Sequence, residues 1–247
     1  MFRALRVPNY RRYASANLVS QTGTWMQRIG QDWLVLQLSD DSGIALGLIT
    51  ALQFGPSLFL SMYGGVLADR YPKRRLLLIT QVLMGLLSLV LGVLVATGAV
   101  ALWHVFVLAG SLGAVSAVDA PVRQAFVSEM VGPSLLANAV SLNSTIFNGA
   151  RLIGPSLAGL LIAAAGGDTA PAFFLNAVSF AFTITALVVW AFAAFGRARR
   201  TAAVRSRRSS SRPARRAASQ LSAERPGEGI EVGEAGVVGV DLGHGHE

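Results

Sequence analysis

Leu76–Val118 reads LLLITQVLMGLLSLVLGVLVATGAVALWHVFVLAGSLGAVSAV, 43 residues without one Asp, Glu, Lys or Arg. Crossing roughly 30 Å of hydrocarbon at about 1.5 Å per residue takes about 20 apolar residues. The run is therefore two membrane helices, hinged near Thr97-Gly98-Ala99. Uncharged stretches recur on both sides: Ser42–Ala68 fits one helix and Thr169–Gly196 another. Two less clean segments complete the set, Tyr13–Leu38 with Arg28 and Asp32 inside it and Leu135–Ala165 with Arg151.

These segments predict an all-α membrane protein of six transmembrane helices over residues 13–38, 44–68, 76–96, 101–121, 135–165 and 171–195. Only 14% of the 247 residues are charged, against about 25% in ordinary soluble domains. Residues 1–196 hold 11 basic and 7 acidic side chains, too few to solvate a globular surface. A membrane domain over 1–196 and a separate tail over 197–247 follow. There is no cysteine, which excludes disulfides, thiolate metal sites and thiol nucleophiles.

The arginines set the expected orientation. Arg3, Arg6, Arg11 and Arg12 precede the first span, Arg70, Lys73, Arg74 and Arg75 join the second to the third, Arg123 lies between the fourth and fifth, and Arg197, Arg199 and Arg200 follow the sixth. The alternate loops near Ser39–Gly43, Thr97–Leu102 and Gly166–Pro171 contain no Lys or Arg, only Asp40, Asp41 and Asp168. By the positive-inside rule this is a multi-pass protein of the plasma (inner) membrane with both termini cytoplasmic. Polar residues interrupt the first span, which is therefore expected to stay rather than be cleaved as a signal peptide.

Polar groups inside apolar spans face protein or water rather than lipid, so they are the candidate functional residues. Arg28 and Asp32 are four apart, can neutralise each other, and share the first span with Gln21, Gln27 and Gln31. Trp25 and Trp33 offer flat surfaces to an organic substrate. Either this face lines a substrate and proton cavity, where Asp32 exchanges a proton as its cationic partner moves, or the pair is structural. On the fifth span Arg151 shares a face with Asn148, with Asn143 further along. Facing the cavity it would bind an anionic substrate or pair with Asp32; facing a neighbour it would hold the bundle together. His104 beside Trp103 is expected at the interfacial belt. Met26, Met62 and Met84 are expected to pack or face lipid. No phosphate loop, dinucleotide fingerprint or catalytic constellation is present, so the expectation is a non-enzyme without cofactor or metal.

The basic turn carries the most specific pattern, Gly65-Val-Leu-Ala-Asp69-Arg70-Tyr-Pro72-Lys73-Arg74-Arg75. A glycine admits a neighbouring helix, and a carboxylate at the membrane edge needs cationic or dipolar partners that one conformation can supply and another remove. This is a conformational latch, or else a topology-setting loop. It resembles the signature G-x-x-x-D-R-x-G-x-R-R between helices two and three of the major facilitator superfamily, with Pro72 where that family has glycine. Gly154-Pro155-Ser-Leu-Ala-Gly159 on the fifth span is similar to the antiporter element of the drug/proton exporters in the same superfamily, with Ala158 for a glycine; ordinary close packing is the alternative. The start Phe2–Arg12, the run Ser20–Met26 and the segment Asp119–Gln124 further resemble the enterobactin-exporter branch.

The resemblance implies the amino-terminal half of a major facilitator fold, six helices in a 3+3 inverted-repeat bundle. It implies proton-driven export of a small molecule by alternating access. It also implies that Asp69 is held with Arg70 or Arg74 and an acid at the inner end of helix four, where Asp119 is available with Arg123 one turn on; a plain i,i+4 pair is the alternative. The substrate site of such carriers lies between two halves. A homodimer, a partner chain supplying the second half, or a truncated or frame-shifted chain are the three expectations. A non-transporting membrane subunit or scaffold is the alternative function.

After Arg200 the chain turns Arg- and Ser-rich and then Gly- and Glu-rich, a composition expected to be disordered. Its arginines suit anionic lipid headgroups. Without stacking aromatics no nucleic acid is expected, and His244 and His246 alone make no metal site.

Overall fold

The computed structural model describes residues 3–189. A single 3-10 turn, Arg3–Arg6, leads into α1 (Pro8–Leu38), α2 (Gly43–Arg70), α3 (Lys73–Ala96), α4 (Leu102–Val131), α5 (Leu136–Ala164) and α6 (Ala170–Val189). The tail, its arginines and histidines, and the end of the expected sixth helix lie outside the described residues.

Helices α2 to α6 are each long and apolar enough to cross a membrane. The expected sixth span, α1, is long enough at 31 residues but is too polar to qualify on composition. Its polar residues explain why it sits in the bundle: Asn17, Gln27 and Gln31 are almost completely buried against protein, so none of them needs water. Large apolar side chains take the opposite disposition. Ile44, Leu58 and Leu152 are more than three-quarters exposed, which in water would be a severe liability and in lipid is the ordinary state. Met62 shares that outer surface, whereas Met26 and Met84 are buried.

The turns follow from local chemistry. Asp40 and Asp41 adopt positive φ after α1, and the Ser42 side chain accepts from the Ala45 N–H at 3.3 Å to cap α2. Between α2 and α3, Tyr71 is extended, as a residue before proline prefers, and Pro72 has φ −58°. Its missing N–H removes no helical bond, because Pro72 is the N-cap of α3, and its carbonyl accepts from the Arg75 N–H at 2.8 Å to start that helix. Proline thus builds this turn where the superfamily pattern has glycine.

Helix α4 runs ten residues beyond the expected end at 121. Pro121 lies inside it, with its ring against Gly64 of α2, where a Cβ would lie 2.7 Å from Pro121 Cγ. Gly132, at φ 73°, ends the helix and Pro133 follows. At the other end of α4, His104 Nδ1 accepts from the Ala101 N–H at 3.0 Å, a capping role beside the exposed Trp103.

Packing joins α2 to α4, α1 to α5 and α3 to α4. One apolar cluster gathers Tyr10, Tyr13, Leu77, Phe126 and Leu142; a second gathers Leu34, Ile49, Leu91, Val105 and Phe173. A buried polar seam ties α6 to α1 and α3: Asn176 Nδ2 donates to Gln27 Oε1 at 2.5 Å and to Ser88 Oγ at 3.1 Å. Such seams fix helix register in lipid, where apolar contact alone discriminates weakly.

Candidate functional site

Helices α1, α2, α4 and α5, with Met84 of α3, line an open cavity of about 610 Å³. Its aromatic wall centres on Trp25, whose ring lies 6.3 Å from Phe54 and 5.7 Å, edge-on, from Phe147. Two guanidinium groups stack on this wall. Arg28 Cζ lies 4.9 Å from the Trp25 ring centroid and 4.4 Å from that of Phe54, and Arg151 Cζ lies 5.5 Å from that of Trp25. Gln21, Asn143 and Asn148 add hydrogen-bonding groups. Of the candidate cavity residues, the structure therefore brings Gln21, Trp25, Arg28, Asn148 and Arg151 to one wall.

The remaining two are placed differently. Gln31 is completely buried and stands behind the wall, and Asp32 is not among the lining residues. Gln53 Nε2, from α2, donates to Asp32 Oδ1 at 3.1 Å and to Gln31 Oε1 at 3.4 Å. Arg28 and Asp32 are not closed to ion-pair distance; the cation takes the rings and the carboxylate takes the amide. Trp33, expected beside Trp25 as a second flat surface, is 47% exposed on the outside of the bundle. It sits eight residues on, which rotates it by more than two full turns and away from the cavity.

At the cavity floor, Arg123 Nε donates to Asp119 Oδ2 at 3.0 Å, and both side chains are almost completely buried. Asp119 Oδ1 accepts from Thr80 Oγ1 at 2.6 Å and from Gln81 Nε2 at 2.8 Å, both on α3. Arg123 also donates to Asn17 Oδ1 on α1, and Asn17 Nδ2 donates to Asn143 Oδ1 on α5 at 3.2 Å. Four helices thus converge on one charge pair. Asp119 meets α3 and its own helix rather than Arg70 or Arg74. Thr80, Gln81 and Gln53 were passed over in the sequence because their spans are otherwise uncharged, although lone amides and hydroxyls in such runs were the available signal.

At the α2–α3 turn, Asp69 and Arg70 are exposed and Arg74 is half-buried. Gly65 has open space around it; the close helix contact belongs to its neighbour Gly64. Lys73 Nζ reaches Glu129 Oε1 across α3 and α4 at 2.7 Å. Because Glu129 is 58% exposed, Glu129→Ala is expected to change stability by no more than about 1 kcal/mol. Thermal unfolding of the purified protein in mild detergent checks this.

The antiporter-like element divides in the same way. A Cβ on Gly154 would lie 2.6 Å from Trp25 Cβ, 2.9 Å from the Thr22 carbonyl oxygen and 3.0 Å from the Met26 nitrogen, so α5 touches the backbone of α1 here. Ala158 is fully buried and continues the contact, Pro155 is half-buried, and Gly159 faces open space. Among the described residues no group of three or more His, Cys, Asp or Glu is placed to hold a metal.

A family profile described as transmembrane secretion effector matches residues 1–206. The staphyloferrin A transporter of Staphylococcus aureus is 34% identical over 152 residues, covering 61% of this chain and 38% of that protein. The multidrug efflux pump Tap of Mycobacterium tuberculosis is 30% identical over 183 residues, 70% of this chain and 42% of the pump. The uncharacterized MFS-type transporter YfiS of Bacillus subtilis is 25% identical over 169 residues, 66% and 39%. The chain spans about two fifths of the length of these curated relatives. No solved structure matches it.

Proposed function

The chain belongs to the transmembrane secretion effector family of the major facilitator superfamily, and from that premise we propose that it is a six-span half of a secondary transporter exporting a small organic molecule by alternating access in exchange for protons. It is a transporter-family membrane protein and not an enzyme. The observation that carries the proposal is the 610 Å³ cavity itself. It combines stacking rings, guanidinium groups and amides in the middle of apolar helices, where lipid would accept none of the polar members.

Two features support a 3+3 repeat with α1 as the sixth span. Exchanging α1 with α4 and α2 with α5 converts the α2–α4 packing into α5–α1 packing, and both pairs are closely packed. Both crossings also rest on a glycine meeting backbone, Gly64 on Val118 and Gly154 on Thr22. A second six-helix unit, from another copy or a partner, would close the cavity. Asp69, Arg70 and Arg74 are the latch at the cytoplasmic turn, where Lys73 already ties α3 to α4. Asp32, held by a neutral amide behind Arg28, is the proton-exchanging carboxylate. Movement of Arg28 toward or away from it changes the proton's binding free energy, which is the physical requirement for coupling.

Reconstitution tests the reading. Proteoliposomes containing the full chain and loaded with a fluorescent organic dye are expected to move it when a pH gradient is imposed, and Asp32→Asn is expected to abolish the dependence on that gradient. Equal, gradient-insensitive leakage from wild type, Asp32→Asn and empty vesicles would remove the carrier function from this polypeptide. Because the chain has no cysteine, single cysteines at Ser39 and Arg75 report orientation to an impermeant maleimide. The first is expected to label from outside the cell and the second only after lysis.

A further inference from the structure

We propose that the cavity is built for an organic anion carrying two or more acidic groups, seated between Arg28 and Arg151 against the Trp25 face; the proposal rests on the transporter reading and specifies its substrate class. The ionisable side chains on the cavity wall are Arg28, Arg123, Arg151 and Asp119. Asp119 and Arg123 neutralise each other, and the acid's other oxygen is taken by Thr80 and Gln81. That pair is spent on the bundle. Arg28 and Arg151 are left on the wall without an ion pair among the described residues. Counting Asp32 behind the wall against Arg28 still leaves the site positive.

Geometry makes this excess charge a site. Both guanidinium carbons lie within 5.5 Å of one indole centroid, so two cations are gathered on one ring by helices α1 and α5, whose backbones touch at Gly154. Each guanidinium lies with its Cζ over an aromatic ring, and its N–H fork, the part that binds carboxylates in pairs, is engaged by no carboxylate among the described residues. Because α1 and α5 meet in backbone contact at Gly154, the fold itself brings both cations to one ring before a ligand arrives. Two like charges held close in a cavity flanked by apolar helices repel each other, and a polyanion relieves that repulsion where a neutral or cationic compound does not. The Trp25 and Phe147 rings and the amide of Asn148 supply contact for the carbon frame and any remaining polar group.

Calorimetric titration of the purified full chain in mild detergent tests this with three compounds of one shape: trimesate, its neutral triamide, and tris(aminomethyl)benzene. Trimesate is expected to bind at least about tenfold more tightly than the triamide, and the triammonium compound more weakly than both. Arg28→Gln and Arg151→Gln are each expected to lose about tenfold for trimesate while leaving the triamide unchanged, which also shows that the variants are folded. Arg151→Lys is expected to fall between, since it keeps the charge and loses the fork. Equal or tighter binding of the triamide or the triammonium compound, or indifference of trimesate to both Gln variants, overturns the anion inference and leaves the carrier reading standing. No binding of any of the three, with Asn148→Cys readily alkylated from water, overturns the inference, while the carrier reading stands or falls separately on the proteoliposome assay.

Discussion

Asp119→Leu in the full chain is expected to destabilise the bundle by about 3–5 kcal/mol, because it leaves the Arg123 guanidinium buried without its counter-charge. The same substitution strips Thr80 and Gln81 of their common acceptor, so three donors from two helices lose a partner at once. Arg123→Met alone is expected to be nearly as damaging, since the carboxylate then stays behind. The double variant Asp119→Leu/Arg123→Met is expected to recover much of the loss, as replacing a buried pair by apolar side chains is often close to neutral. Denaturant titration in mild detergent, followed by circular dichroism, measures all three, and the coupling between the sites should reach about 2–3 kcal/mol. Additive effects of the two single variants would mean that water reaches the pair and that the convergence of α1, α3, α4 and α5 is held by something else. The double variant also separates stability from binding, because Arg123 lies on the cavity floor while Arg28 and Arg151 are untouched.

Gly154→Ala is expected to destabilise by about 1–3 kcal/mol through overpacking, and Gly159→Ala to have almost no effect. The two glycines belong to one sequence element, yet an added methyl at Gly154 meets Trp25 Cβ and two backbone atoms of α1, whereas at Gly159 it meets open space. Backbone cannot step aside as a flexible side chain can, so α5 must move away from α1. That movement also separates Arg151 from the Trp25 ring, and Gly154→Ala is therefore expected to weaken trimesate binding while Gly159→Ala leaves it intact. The same detergent unfolding and calorimetry serve both variants. Equal tolerance of the two substitutions would show that the α1–α5 contact is not close in solution.

The residues that were legible in advance and those that were not differ in kind. Apolar runs and basic turns are properties of one helix at a time. Leu76–Val118 had to be two helices because neither lipid nor protein offers another way to satisfy 43 consecutive residues of that backbone, and they appear as most of α3 and α4. The polar face of α1 was visible because amides and charges at Asn17, Gln27, Arg28 and Gln31 have to be kept from hydrocarbon. Helix α4 ends at Val131, beyond the uncharged run that stops at Val118, so apolar composition does not mark its end.

Partnership was a different matter. Adjacent residues on a helix point about 100° apart, so Gly64 and Gly65 are equivalent in composition but opposite in use, and a rotation settled by neighbouring helices chooses between them. Arg28 and Asp32 share a face of α1 by spacing, yet Phe54 and Gln53 of α2 take them in different directions. The chain's own pattern determined what must be inside the membrane, what must be kept from lipid and where the basic turns fall, since these depend on transfer energies of single segments. The tertiary structure alone decided which buried charge meets which donor and which cavity cations are left without an ion pair among the described residues, because those depend on the rotation and depth of four helices at once.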